Sequence, residues 1–243
     1  MPRTARPNAR AVSRRLKALA DPKRAEASAW FFRTGPGQYG EGDRFLGLDV
    51  PTMRRQATAF EDLPLSEIRK LLASPWHEER LVALLVLVRR YARGGGGERE
   101  RIFRFYLRHA RRVNNWDLVD ASAPYSVGAH LGRRGVSLLR RLARSSNLWE
   151  RRIAIVSTAA FIRRGHLDAT FDIARRLLKE PYDLIHKAAG WMLREAGKRD
   201  PDALRDFLSR HAVEMPRTML RYSIERFPGP ERRRWLGRRF LSG

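Results

Sequence analysis

The amino-acid sequence predicts an all-α protein, and two features carry that prediction. From Val50 onward, apolar residues recur at the three- and four-residue spacing of amphipathic helices, and no β-branched strand alternates with these segments. Prolines stand near the starts of many segments, where the missing backbone N–H costs no hydrogen bond. The predicted helices cover residues 51–60, 64–73, 75–93, 98–110, 115–131, 133–144, 147–164, 167–179, 182–197, 200–211, 214–227 and 230–241.

The 243-residue chain is strongly basic, with 50 Lys and Arg against 26 Asp and Glu and a formal net charge of +24. Clustered cations gain free energy when they release the counterions condensed on phosphates, so this charge favours nucleic acid as a partner. Most of the charge is arginine, which suits phosphates and bases, although a GC-rich coding genome produces the same bias. The absence of cysteine excludes disulfides, thiolate zinc sites and cysteine nucleophiles.

Residues 1–20 are rich in arginine and contain no acid, and they are predicted to form a flexible basic arm that adds nonspecific affinity for phosphate. An organelle transit peptide has the same composition, so that alternative stays open beside a cytoplasmic, nucleoid-associated location. Residues 21–243 are expected to form one repeat domain. The longest apolar run, Leu81–Val88, is far shorter than the roughly 20 residues of a membrane span.

Glycines at 35, 37 and 40 have the GxGxxG spacing of dinucleotide-binding folds. That fingerprint requires a β-strand before it and a helix that opens within it, whereas residues 25–32 are predicted to be helical. We therefore interpret residues 30–47 as a long connecting loop.

A weak internal repeat underlies the helices. The segment Glu79–Leu84 resembles Arg151–Val156, and basic residues recur 72, 35 and 34 residues apart at Arg80, Arg152, Lys187 and Arg221. Helical pairs of about 35 residues, each unable to bury its apolar face alone, are typical of a curved α-solenoid of HEAT-like repeats. One cation near the start of each second helix would line a single edge of the concave face and bind phosphate, although each could also be a solvated helix end.

Common catalytic and metal-binding motifs are missing. The six histidines lack HxxxH or HExxH spacing, and neither a GxxxxGK[ST] loop nor a GxSxG elbow occurs. Any chemistry must therefore use carboxylate and aromatic groups, and we expect neither a metal nor another cofactor.

Trp116 and Asp120 are the strongest catalytic candidates, because a spacing of four places both on one face of a helix. Arg152 and Trp191 are candidate neighbours from the next two repeats. An aromatic face attracts a cation and a carboxylate stabilises developing positive charge, which would suit a cationic damaged base leaving a deoxyribose. The structural alternative is two core tryptophans and a surface or capping acid.

Five stretches carry a family resemblance: FFRTGPGQYGEGDRFLGLDVPTMR, VNNWDLVDASAPY, WERRIA, AAGWMLREAGKRDP and MPRTMLRYSIERFP. In this order they resemble the DNA alkylation repair family of HEAT-like-repeat DNA glycosylases, the AlkD family, over residues 25–228. The resemblance implies a solenoid that holds duplex DNA in a basic concave groove. It also implies hydrolysis of the N-glycosidic bond of positively charged purines, of 3-methyladenine and 7-methylguanine type, without base flipping.

The resemblance also implies roles for individual residues. Trp116 and Trp191 would pack on the sugar and backbone of the damaged nucleotide, and Asp120 would stabilise the sugar cation and position water. Arg152 corresponds to the family's phosphate-contacting arginine.

The glycine-rich loop belongs to a different branch of the family from the best-understood one. In the best-understood branch an early aromatic residue also lines the cleft, and in this chain Trp30, Phe31 or Phe32 could hold that position. A monofunctional glycosylase therefore competes with a non-catalytic binder of damaged or structured DNA, and with a HEAT scaffold for proteins. A groove binder of this kind needs one copy, so we expect a monomer on double-stranded DNA.

Overall fold

The fold is taken from a computed structural model that describes residues 7–132 and 135–237. The secondary structure of these ranges is helical, with connecting loops and no β-strand, which confirms the predicted all-α class. The only strand-like pairing in them is an isolated bridge between Arg44 and Trp76. The helices are α1 Ala9–Lys17, α2 Pro22–Phe31, α3 Val50–Ala59, α4 Leu65–Leu72, α5 His77–Arg93, α6 Gly96–Arg108, α7 Trp116–Ala123, α8 Ala129–Leu131, α9 Val136–Leu142, α10 Leu148–Ser157, α11 Ala159–Arg163, α12 Asp168–Arg176, α13 Asp183–Arg199, α14 Pro201–His211, α15 Arg217–Ser223 and α16 Gly229–Gly237.

The chain divides into two compact units, Met1–Ser126 and Val127–Gly243, where the sequence predicts one repeat domain. In the first unit α5 is the central helix, and α3, α4, α6 and α7 pack around it. In the second unit α13 has that place, with α10, α12, α14 and α15 around it. Within the described ranges, no helix is both long and apolar enough to cross a bilayer.

The N-terminal segment differs from the flexible arm that its charge predicts. Val12 and Leu16 are four residues apart in α1 and are fully buried. Polar contacts fix the same helix, because the Ser13 hydroxyl donates to Glu79 at 2.6 Å and the Ala9 backbone N–H donates to Glu67 at 2.9 Å. The arm is therefore a docked helix from Ala9 to Lys17, and residues 1–6 of the predicted arm lie outside the described residues.

A contact that recurs in the structure gives a register one residue different from that of the sequence comparison. The helices α5, α10 and α13 each follow a turn whose carbonyl oxygen accepts a hydrogen bond from a side chain six residues later. Arg80 donates to Ser74 O at 2.9 Å, Arg151 to Ser145 O at 2.8 Å, and the ring nitrogen Nε2 of His186 to Glu180 O at 2.5 Å. Arg80 therefore corresponds to Arg151, and Leu81 occupies the repeat position of Arg152.

In the second unit, α13 and α15 pack closely at Gly190. A Cβ atom at this position would lie 2.5 Å from Tyr222 Cβ and 2.6 Å from the carbonyl oxygen of Met219. Only glycine allows the two helices this approach. The close packing fixes the backbone of the next residue, Trp191.

Candidate functional site

The start of α7 places the two principal candidates, Trp116 and Asp120. Asn115 is fully buried and caps the helix, since its side-chain oxygen accepts the Trp116 N–H at 2.7 Å. Asp117 accepts the N–H of Leu118 at 2.7 Å, and its negative charge suits the positive end of the helix dipole. Asp120 follows one turn after Trp116 on the same face, as predicted.

A buried charged network joins this helix start to the start of α5. His77, of which 2% is exposed, contacts Asp117 through Nε2 at 2.7 Å and Asp43 through Nδ1 at 3.3 Å. Arg80 Nη2 pairs with Asp43 at 2.7 Å, and the Asn115 amide donates to Asp43 at 3.2 Å. Two cations thus face two carboxylates inside the first unit.

The protonation states of the network follow from these contacts. Burial alone would lower the pKa of His77, but the attraction of Asp117 and the hydrogen bonds to Asp117 and Asp43 outweigh it and raise this pKa to about 9. Burial opposes ionisation of Asp43 as well, yet its contacts to His77, Arg80 and Asn115 keep the pKa of this carboxyl below its usual value. His77 is therefore cationic at neutral pH, and the network is charge-balanced.

Trp116 lies at the end of a stack of aromatic rings. Its ring is 5.3 Å from Phe32 at an interplanar angle of 23°, and Phe32 is 5.1 Å from Phe45 at 14°. Phe45 stacks in turn on His77 at 4.8 Å, so the aromatic stack rests on the charged network. Phe31 meets the Trp116 ring edge-on at 6.0 Å. The stack holds one large π surface, half-buried, on the same helix face as Asp120.

The three early aromatic candidates, Trp30, Phe31 and Phe32, lie at the C-terminal end of α2 and differ in exposure to solvent. Phe32 is a member of the stack, whereas Phe31 is 57% exposed and Trp30 is 83% exposed. Tyr39, from the following loop, accepts the Trp116 indole N–H at 3.3 Å. Of the three candidates, Phe31 combines contact with Trp116 and exposure to solvent.

The glycine-rich segment is a connection between α2 and α3, as predicted, and a buried carboxylate holds its end. Glu78, 2% exposed, accepts the backbone N–H groups of Leu46, Gly47 and Leu48 at 2.9 to 3.3 Å. Gly47 has φ +80°, and a Cβ atom there would lie 2.2 Å from Asp21 O. Gly47 therefore has a structural role, because it allows the connection to pass close to the start of α2.

Asp120 lines a cleft of about 500 Å³ formed by α3, α5 and the end of α7. The cleft contains one acid and three arginines, Arg54, Arg55 and Arg89, together with a partly apolar wall. Tyr125 is 46% exposed at its edge. The full lining is Arg54, Arg55, Ala57, Thr58, Leu85, Val88, Arg89, Asp120, Ala121 and Tyr125. A carboxylate among cations in an open cleft can meet a positively charged centre that is flanked by phosphates.

The remaining predicted residues have different surroundings. Arg80 belongs to the buried network, with 4% exposed, so it cannot contact a phosphate; its charge serves the fold. Arg152 is 5% exposed and donates to Leu184 O at 2.6 Å. Lys187 is half-exposed and pairs with Asp183 at 2.7 Å, and Arg221 is exposed. Trp191 is half-buried in α13 of the second unit.

Sequence reasoning missed the arginines of the Asp120 cleft. It weighed cations only at the repeat positions, whereas Arg54 and Arg55 lie on α3. A signal for Arg89 exists in α5, where Leu85, Val88 and Arg89 are spaced by three and four residues and share one half-exposed face of the helix. His77 was weighed only as a metal ligand. In residues 7–132 and 135–237, no group of three or more His, Cys, Asp or Glu side chains is arranged to hold a metal ion.

Comparisons with known proteins give a family match and a similar fold. The model of a family described as DNA alkylation repair enzyme matches residues 12–227. No curated protein matches the sequence. Among solved structures, the chain is similar to a predicted DNA alkylation repair enzyme from Enterococcus faecalis, at 16% sequence identity and a TM-score of 0.66. That match covers 86% of this chain and 97% of the other, and at this identity it concerns the fold.

Proposed function

The chain belongs to the DNA alkylation repair enzyme family, and from this premise we propose that it is a monofunctional DNA glycosylase for cationic alkylated purines. Membership makes it an enzyme of alkylation repair with DNA as its partner. The proposed reaction is hydrolysis of the N-glycosidic bond of 3-methyladenine and 7-methylguanine in duplex DNA. The observation that carries this proposal is Asp120, an acid in an open cleft with three arginines, one helical turn from a stacked tryptophan.

The chemistry of the substrate explains why one carboxylate is enough. An alkylated purine with a positive charge takes the electron pair of the glycosidic bond and leaves as a neutral base, so it needs no general acid. The positive charge then passes to the sugar, where Asp120 would stabilise it and orient a water molecule toward C1′. Attack by this water with loss of a proton completes the abasic sugar. A carboxylate directed at developing charge in a partly desolvated cleft contributes roughly 3 to 4 kcal/mol.

Trp116 would supply the aromatic surface beside this centre. Its ring is held by the stack and by Tyr39, so little conformational entropy remains to be lost when a sugar or a cationic base packs on it. A tryptophan face attracts a cation, which favours the charged base and the sugar cation over neutral nucleotides.

The second unit would contribute Trp191 as a further aromatic contact to the backbone, as the resemblance implies. Lys187 and Arg221 are accessible enough for phosphates. Arg152, to which the resemblance assigns a phosphate, is the least accessible of these residues, because 5% of it is exposed and it donates to Leu184 O at 2.6 Å.

The test is release of bases from defined duplexes. We expect the unmutated protein to convert 7-methylguanine and 3-methyladenine sites into alkali-labile abasic sites. Duplexes that contain a neutral lesion, such as hypoxanthine, should stay intact, because a neutral purine is a poor leaving group without an acid. Salt-sensitive binding of the methylated duplex with no base release would instead identify a non-catalytic binder of damaged DNA.

We also propose that the base is not flipped into a pocket, so that the reaction takes place from the sugar side. A glycosylase that encloses its base rejects large substituents, whereas a sugar-side enzyme accepts them. A bulky cationic N7 adduct should therefore be released at a rate within about tenfold of 7-methylguanine. Rejection of the bulky adduct with release of 7-methylguanine would contradict this part alone.

A further inference from the structure

Two clefts adjoin in the first unit, and Arg55 lines both. The first is the Asp120 cleft, which Arg54 and Arg89 also line. The second has a volume of about 270 Å³ and lies between α1, α2 and α3. Arg15 of α1 and Arg24 of α2 line this second cleft. Arginines therefore continue from the docked N-terminal helix, through Arg55, to the side of Asp120.

The guanidinium groups of α3 are available to a ligand. Arg54 and Arg55 are exposed, and neither pairs with a carboxylate among the described residues. The Arg55 Nη2 donates only to the hydroxyl of Thr52, at 2.7 Å. Arg89 is less available, because Glu61 holds it at 3.0 Å.

Acids in the second cleft offset this charge only in part, because its three arginines outnumber its two acids, Asp21 and Asp49. Asp21 accepts the backbone N–H of Arg24 at 3.2 Å, and Asp49 accepts that of Thr52 at 2.7 Å. Asp49 also lies 3.5 Å from Arg24 in an exposed ion pair, which is weak in water. The two carboxylates are thus held at helix starts, and the cleft keeps a net positive charge.

We propose that Arg54 and Arg55 of α3 bind the phosphodiester backbone of the strand whose sugar reaches Asp120, and that Arg15 extends this contact along the strand. The proposal rests on the proposed function only in placing the reacting sugar at Asp120. Arginine forks bind phosphate oxygens in pairs and fix the position of a strand without reading its sequence. Arg80, buried in the network, cannot have this role.

Arg54 and Arg55 are adjacent on α3, and we expect them to contact different phosphates. Neighbouring residues of an α-helix diverge by about 100°, so their side chains cannot share one phosphate oxygen pair. Arg54 lines only the Asp120 cleft, whereas Arg55 lines both clefts. The strand would therefore cross α3, with one phosphate in the Asp120 cleft and another toward Arg15.

The experiment measures binding of a short undamaged duplex, which involves no turnover, as a function of salt concentration. The slope of log K against log salt is negative, and each lost phosphate contact lowers its magnitude by about 0.9. We expect that decrease for Arg54→Gln and for Arg55→Gln, and a decrease near twice as large for the double variant. Arg69→Gln is the matched control, because Arg69 is an exposed arginine on α4 that lines neither cleft.

Two results would overturn the proposal: slopes of the α3 variants equal to that of the unmutated protein, or a decrease no larger than that of Arg69→Gln. Thermal unfolding of each variant shows whether the fold is retained; surface arginines should leave it unchanged. The binding slopes are independent of base release. If the protein releases no methylated base but Arg55→Gln lowers the magnitude of the slope, the glycosylase proposal is refuted and the phosphate site stands. If the protein releases methylated bases but Arg55→Gln leaves the slope unchanged, the phosphate site is refuted and the glycosylase proposal stands.

Discussion

Trp116 and Asp120 lie on one helix face, but different contacts fix them. The Trp116 ring depends on Phe32 below it and on Tyr39 at its indole nitrogen. Trp116→Phe keeps an aromatic face on the stack and loses the hydrogen bond, whereas Trp116→Ala removes the face. In single-turnover excision of 7-methylguanine we expect a decrease of less than about tenfold for Phe and of about 10- to 100-fold for Ala. Equal losses in the two variants would assign the hydrogen bond, and not the π surface, to catalysis.

His77 is the residue whose titration should be visible in stability. Its pKa is raised to about 9, from an ordinary value of 6.5, by Asp117 and Asp43 against the opposing effects of burial and Arg80. Protonation therefore stabilises the fold: the contribution is complete below pH 6.5 and is lost as the pH rises through about 9. We expect the free energy of unfolding in urea to fall by roughly 3 kcal/mol over this range.

The matched variant for this prediction is His77→Gln, which keeps polar atoms but no titratable ring. It leaves the buried carboxylate of Asp43 and the half-buried Asp117 with one cation fewer, so it should cost about 3 to 5 kcal/mol at neutral pH. Its stability should depend less on pH between neutrality and pH about 10 than that of the unmutated protein. An unchanged alkaline decrease in His77→Gln would show that another group is responsible.

At the scale of elements, the packing of α1 decides whether the N-terminal segment is a docked helix or a flexible arm. A docked helix buries Leu16 completely, whereas a flexible arm would not. Leu16→Ala should therefore lower the free energy of unfolding by about 2 to 4 kcal/mol, because it removes buried methyl groups and leaves a cavity. Leu19→Ala is the control: Leu19 is 36% exposed, just beyond the helix, and we expect a change below about 0.5 kcal/mol. Equal effects in both variants would contradict the docking of α1.

The sequence predicts the helices well and their long-range contacts poorly, for physical reasons. Apolar periodicity and prolines act within one element, so the bounds of α5 or α13 follow from local residues. The buried contacts of His77 with Asp43 and Asp117 join segments 34 and 40 residues apart, and no local pattern marks them. The docking of α1 was missed because arginines outnumber Val12 and Leu16. The repeat register was missed because Arg151 and Arg152 are adjacent in the sequence, and only their tertiary contacts, such as the hydrogen bond from Arg151 to Ser145 O, distinguish them.

The candidate site was predicted in part, for the same reasons. Helical spacing was enough to place Trp116 and Asp120 on one face. Which cations surround Asp120 depends on how α3 packs on α5, and that packing is a tertiary property. Arg80 has the sequence features of a phosphate ligand but folds into the interior, where Asp43 neutralises it.

At the scale of the whole molecule, a net charge of +24 has to be reconciled with one acid in a cleft. Many arginines are held by acids one turn away or on another segment, as Arg151 is by Glu180, in the connection between α12 and α13, at 2.7 Å. Cations that remain accessible, such as Arg54 and Arg55, are the ones that we propose to bind phosphate. In this proposal the general charge brings DNA to the protein, and Asp120 acts on the sugar of the bound strand. Affinity and catalysis should therefore be separable.

The central claim is that Asp120 stabilises the sugar cation, and single-turnover release of 7-methylguanine by Asp120→Asn tests it most directly. Thr58→Ala is the control, because Thr58 lines the same cleft without a charge. We expect a rate decrease of about 100- to 1,000-fold for Asp120→Asn with duplex affinity retained, and less than about threefold for Thr58→Ala. Asp120→Asn that releases the base at the rate of the unmutated protein would contradict the claim.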